Sequence, residues 1–109
     1  MKRKTCQIVE ELHEEAMNLV DLAVAAQREG KPSLAIFRHA LTLEIEAAGL
    51  VTIEPSRSIL YRSAAALALE AGKAQEAERL ATLGLDGDPP PEIAAELREF
   101  IGAAKEEKS

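Results

Sequence analysis

A Gly-Lys pair occurs twice in this chain, each time between two apolar helical patterns: Gly30-Lys31-Pro32-Ser33-Leu34-Ala35 and Gly72-Lys73-Ala74-Gln75-Glu76-Ala77. Each copy places an alanine five residues after its glycine. Glycine can leave a helix through left-handed backbone, and a small residue early in the next helix lets the two helices pack closely. Two such turns predict two helical hairpins built on one plan, the pattern of a repeat architecture. Repeat arrays present surfaces to partners, so the expectation is a binding role.

The periodicity places five helices and no strand in one domain spanning 1–109, an all-α fold. The first is expected from Thr5 to about Glu29, with Thr5 as its cap and Ile8, Leu12, Leu19, Ala23 and Ala26 as its buried stripe. Pro32 and Ser33 open the second, whose apolar face is Leu34, Phe37, Leu41 and Ile45 and which fades at Gly49. A linker at 50–55 ends in Pro55. Ser56 is the expected cap of a third helix carrying Ile59, Leu60, Ala64, Leu67 and Ala71. The fourth runs from about Ala74 to Leu83, with Ala77, Leu80 and Ala81 inward. Gly84, Gly87 and Pro89-Pro90-Pro91 force an exit into a fifth helix bearing Ile93, Leu97, Phe100 and Ile101. Residues 1–4 and 106–109 are expected to fray, within a charged tail that starts at Lys105. Phe37, Tyr61 and Phe100 are the expected anchors of a core in which aromatics make up only 3% of the residues.

Charge and cysteine narrow the class. A net charge of −6 argues against a nucleic-acid binder, which gathers Lys and Arg on one face. The dense basic run, Lys2-Arg3-Lys4, sits at the terminus. Gln7, Glu10 and Glu11 follow it where a secretory leader would be apolar, and no stretch reaches the ~20 apolar residues of a membrane span. Cys6 is the single cysteine, so no internal disulfide can form. The expectation is a cytoplasmic protein with neither nucleic-acid nor membrane partner.

The third and fourth helices resemble a tetratricopeptide repeat. The motif positions read Tyr61, Ala64 with Ala65, Ala68, Gly72, Ala77, Ala81 with Gly84, and Pro89. Anchored on Gly30, the first hairpin supplies Leu19, Leu22 with Ala23, Ala26, and Ala35 at the helix crossing. His39 and Thr42 stand there where small residues belong. Gly30 and Gly72 lie 42 positions apart, longer than the family period of about 34. The resemblance covers roughly 16–91, as two divergent repeats with the fifth helix as a cap. More narrowly, the chain is similar to small bacterial tetratricopeptide-like proteins of unassigned role.

The resemblance implies a groove lined by the first helix of each repeat. By position, the partner-binding residues would be Met17, Val20, Val24 and Gln27 with Ile59, Arg62, Ala66 and Leu69: an apolar floor with one cation. Family members that clamp a C-terminal carboxylate use several Lys, Arg and Asn residues. This chain offers mainly Arg62 and Arg28, so an apolar segment is the expected ligand. Arg62 has a second reading, as a structural partner of Glu70, Glu44 or Glu46. Self-association is a variant, with a homodimer completing the stack through the first or fifth helix.

Catalysis and metal binding are the competing readings. Glu10 and His13 form a Glu-x-x-His on one helix with Cys6 a turn earlier, and a bundle binding a metal or small molecule through Glu10, His13 and His39 is the alternative. A di-iron site needs a second such motif, but Ile36 precedes His39 where Glu is required. Cys6 near a terminus lacks a fixed base and an oxyanion site, and neither Gly-Lys pair has the remaining residues of a phosphate loop. The chain is therefore expected to be no enzyme and to need no cofactor.

Overall fold

The computed structural model describes residues 3–108 and contains α1 (Thr5–Arg28), α2 (Leu34–Gly49), α3 (Ser56–Glu70), α4 (Ala74–Leu85) and α5 (Pro91–Lys108). No strand occurs among the described residues, so the fold is all-α: helical hairpins followed by a C-terminal helix. Each helix packs on the next in sequence, and α5 also touches α3. The extents of 42 × 34 × 19 Å describe a slab about two helices thick.

The repeated turn is repeated in geometry. Gly30 and Gly72 have φ of 70° and 71°. In the first turn the amides of Gly30 and Lys31 donate to the carbonyls of Gln27 (3.1 Å) and Ala26 (2.8 Å). In the second, Gly72 and Lys73 donate to Leu69 (3.1 Å) and Ala68 (2.8 Å). Both are Schellman caps with glycine at the left-handed position.

After the turns the hairpins diverge by two residues. Pro32 and Ser33 delay α2, whose N-cap is Ser33, whereas α4 starts from Lys73. The first full helical bonds are Phe37 N–H to Ser33 O (3.1 Å) and Ala77 N–H to Lys73 O (2.9 Å). Phe37, Ala40, Leu41 and Glu44 therefore occupy the positions of Ala77, Leu80, Ala81 and Gly84, and all eight are buried. This corrects the expected crossing: Ala35 is exposed and Leu34 is 44% exposed. Counting from the glycine mis-registers α2; counting from the helix start aligns it.

Alanine dominates the interior. Ala16, Ala23, Ala40, Ala64, Ala65, Ala68, Ala77 and Ala81 are fully buried, around larger fillers at Phe37, Leu41, Leu80 and Leu97. Burying each large side chain contributes roughly 1.5–3 kcal/mol. The closest approach is at Gly84, where an added Cβ would stand 3.0 and 3.1 Å from the Leu97 methyls and 3.1 Å from Tyr61 Cβ. Tyr61 and Phe100, expected as core anchors, are only part-buried.

Helix starts differ from expectation at α1 and α3. Lys4, not Thr5, caps α1, with its amide donating to Gln7 Oε1 at 2.9 Å. At α3 the carboxylate of Glu54, not Ser56, receives the Ser58 amide (2.8 Å), and its second oxygen receives the Asp88 amide (2.7 Å). Arg57 donates to Leu83 O at 2.8 Å and lies over the Tyr61 ring, 4.8 Å from its centroid. The 50–55 linker is thus tied to the α4–α5 corner. The expected frayed tail is helical to Lys108: Ala104 is buried and Lys108 pairs with Glu78 of α4. Arg3 pairs with Glu11, while Met1, Lys2 and Ser109 lie outside the described residues.

Candidate functional site

Both α1 and α3 rest on α2, yet no backbone contact joins them among the described residues, whereas α3 and α5 do meet. The register shift supplies the reason. Where α4 places the small Ala77 beneath α3 and α5, α2 places Phe37 between α1 and α3. A phenyl ring fills more of the gap than a methyl group, so α1 and α3 stand apart on either side of it and a hollow remains above the buried ring.

Val20, Val24 and Gln27 of α1 form one wall of that hollow. Ala66, Leu67, Leu69 and Glu70 of α3 form the other, with Phe37 below and Phe100 of α5 at one side. Its volume is about 340 Å³, within the usual ligand-pocket range of about 300–1,000 Å³. Of the eight residues assigned to the groove from sequence, Val20, Val24, Gln27, Ala66 and Leu69 line it. Met17 does not line it, although like Val20 and Val24 it packs part-buried against the core. Ile59 lies on α3 outside the hollow and is 37% exposed. The Arg62 guanidinium is held by Glu96 of α5 at 3.3 Å, so none of Glu70, Glu44 or Glu46 is its partner. Phe37, Leu67, Glu70 and Phe100 were missed. Phe37 is buried as its spacing predicts, and nothing local in the sequence shows that its ring also floors a hollow.

The same helix faces carry a polar node. Glu44, two turns along α2 from Phe37, is fully buried. His13, two turns before Val20 on α1, sets Nδ1 at 2.9 Å from both Glu44 oxygens. Ser63, a turn before Ala66 on α3, donates its hydroxyl to Glu44 Oε2 at 2.5 Å. A buried carboxylate is costly without partners, and here α1 and α3 each supply one. The node pins both walls to the floor.

This geometry redirects the candidate metal ligands. His13 turns its Nδ1 to Glu44, 31 residues away, while Glu10, Cys6 and His39 are exposed. No three His, Cys, Asp or Glu side chains converge as a cation site among the described residues. Ser63 hydrogen-bonds the carboxylate rather than the imidazole, so the trio lacks the hydroxyl–imidazole link that activates a serine nucleophile.

A second hollow lies between the first turns of α1 and the linker, lined by Cys6 and Val9 on one side and Leu50, Val51 and Ile53 on the other. Ile53 is 74% exposed, the most exposed of the large apolar side chains described. No helix is long and apolar enough to cross a membrane among the described residues.

Among perturbed acids, Glu54 is the most elaborately held. Burial pushes its carboxyl up, but the Ser58 and Asp88 amides, the Ser58 hydroxyl and the Arg57 charge outweigh that and leave it below the usual carboxylate range. Glu76, bonded to Arg79, and Glu78, bonded to Lys108, are also lowered. All three are structural contacts at helix ends and corners. Compared with models of protein families, with curated proteins and with solved structures, the chain matches none.

Proposed function

We propose that this chain is a noncatalytic protein-interaction module of tetratricopeptide-like design, which buries an apolar segment of a partner in the hollow between α1 and α3. The observation that carries the reading is that hollow. Half-buried Val20, Val24, Leu69 and Phe100 border a concavity between the two helices, over the buried Phe37 and Leu67. Apolar surface gathered in a concavity is unfavourable in water unless something covers it. The matched Schellman turns and the small residues at Ala77, Ala81 and Gly84 support the repeat-like design. The single unpaired thiol, Cys6, fits a reducing, cytoplasmic setting.

Self-association is the other form of this reading, and the ends of the slab speak against stacking. The outer face of α1 presents Asn18, Asp21 and Ala25 around Leu22, and that of α5 presents Glu92, Arg98, Glu99 and Lys105, all exposed. The α5 end is charged and the α1 end offers a lone leucine among small and polar residues, so neither is a good stacking surface and the hollow is the better interface.

The test is affinity capture of tagged protein from its native lysate, comparing wild type with Val24→Asp and Gln27→Asp variants whose helicity is verified by circular dichroism. A protein retained by wild type and lost from folded variants supports the reading. A protein retained equally by all three contradicts it. Sedimentation of the purified chain separates the self-associating form.

A further inference from the structure

The two walls of the hollow are held in different ways. The α3 wall has backbone contact with α2, α4 and α5, and it buries Ser58, Leu60, Ala64, Ala65, Leu67 and Ala68. Side chains fasten it on three sides: Ser63 to Glu44 of α2, Arg57 to the Leu83 carbonyl of α4, and Arg62 to Glu96 of α5. The α1 wall has backbone contact with α2 alone, and its fully buried residues are Ala16 and Ala23. Leu12, Met17, Leu19, Val20 and Val24 add part-buried packing. Among the described residues, one α1 side chain makes a hydrogen bond or ion pair to another helix. It is His13, whose Nδ1–H donates to the Glu44 carboxylate at 2.9 Å.

These features form a lever. At one end, the last amide bonded back to α1 is that of Lys31, and the first carbonyl bonded into α2 is that of Ser33. The joint between them at exposed Pro32 carries no backbone hydrogen bond. His13 lies toward the other end, about 22 Å along the axis from Arg28, the last residue of α1. Val20, Val24 and Gln27, the α1 lining of the hollow, lie between joint and histidine. The His13 bond is also one that water can replace: the ring is half-exposed, and Ser63 stays on the carboxylate when His13 leaves.

We infer that α1 is a hinged wall: it swings off α2 at residues 31–33 while α2–α5 stay packed, and the His13–Glu44 bond is the latch that sets how often the hollow opens. The volume of about 340 Å³ is then that of the closed state, and opening uncovers the Phe37 ring at its floor. Such sub-global openings cost less than unfolding the whole chain. Opening belongs to the free chain and needs no partner in the hollow.

Hydrogen exchange of the full chain, read by mass spectrometry and corrected for intrinsic rates, tests this in wild type, His13→Ala and Ser63→Ala. In wild type, amides across residues 12–27 should exchange at one shared rate, about tenfold or more faster than interior amides of α3 and α4. His13→Ala should speed residues 12–27 about a further tenfold, because the bond exists in the closed state and not in the open one. Ser63→Ala should leave their rate unchanged, since Ser63 holds Glu44 in both states. Protection of residues 12–27 equal to that of α3 and α4 would overturn the hinge. So would a gradient that rises toward Thr5 and leaves residues 20–27 as protected as α3, which is fraying of a helix end. An unchanged rate in His13→Ala, or equal acceleration by Ser63→Ala, would overturn the latch. Loss of all helicity in His13→Ala would overturn both, because α2–α5 are inferred to stay packed without that bond.

Discussion

Substituting alanine at two helical glycines should move stability in opposite directions, and the structure supplies the reason. Gly84 of α4 and Gly102 of α5 both sit in right-handed helix, so each gains about 1 kcal/mol of helix propensity when it becomes alanine. At Gly102 the new methyl meets nothing within 4 Å. At Gly84 it stands 3.0 and 3.1 Å from the Leu97 methyls and 3.1 Å from Tyr61 Cβ. Leu97 is fully buried and the Tyr61 Cβ is fixed to the α3 backbone, so neither can step aside cheaply. Overpacking of this kind costs roughly 1–3 kcal/mol. Gly102→Ala should therefore stabilise by about 1 kcal/mol, and Gly84→Ala should be neutral to about 2 kcal/mol destabilising. The difference between the two isolates close packing, because propensity is common to both. Urea unfolding followed by circular dichroism reads it, and thermal unfolding should separate the two Tm values by about 4 °C per kcal/mol for a domain of this size. Equal stability of the two variants would refute the claim that α3, α4 and α5 close over a residue that must lack a side chain.

Other perturbations follow from the turns, the polar node and the linker. Gly30→Ala and Gly72→Ala should each cost roughly 1–2 kcal/mol, since both glycines have φ near 70° and neither added methyl meets a close neighbour; unequal costs in urea unfolding would count against one shared turn. His13→Ala should cost about 1–2 kcal/mol, at the lower end of a buried polar loss because water reaches its half-exposed site. In a Glu44→Leu background the same change should cost almost nothing, and a double-mutant cycle with no coupling would remove the node from the account. Glu54 has a folded-state pKa below its ordinary value, so its contribution is present at neutral pH and is lost as pH falls through the folded value. Glu54→Gln should flatten the acid limb of stability against pH relative to wild type, and an unchanged limb would contradict the role given to the linker.

The turns were legible because glycine, lysine and helical periodicity act over a few residues. Gly84 was legible as a position for a small residue, although its neighbours Leu97 and Tyr61 could be named only from the packed helices. The α2 register was not legible from its glycine, because Pro32 and Ser33 delay the helix by two residues and move the crossing from Ala35 to Phe37. Phe37 is the core anchor expected of it, and the shift adds that its ring also floors the hollow. Glu44 with His13, and Glu54 with Asp88, lie beyond any local pattern: each joins residues more than 30 positions apart. Met17, Ile59 and Arg62 fell outside the hollow because a position carried over from a repeat motif fixes the helix and its face but not how far the next helix stands away.

The most direct test of the binding hollow is site-specific photo-crosslinking in cells, with a photoreactive residue at Val24 in the α1 wall or at exposed Thr82 on α4. The account predicts a discrete covalent adduct from position 24, absent from position 82 and lost when Leu69 on the facing wall is changed to Asp in a chain that keeps its helicity. No adduct from position 24, or the same adducts from both positions, would contradict the claim that the hollow between α1 and α3 is where this protein meets its partner.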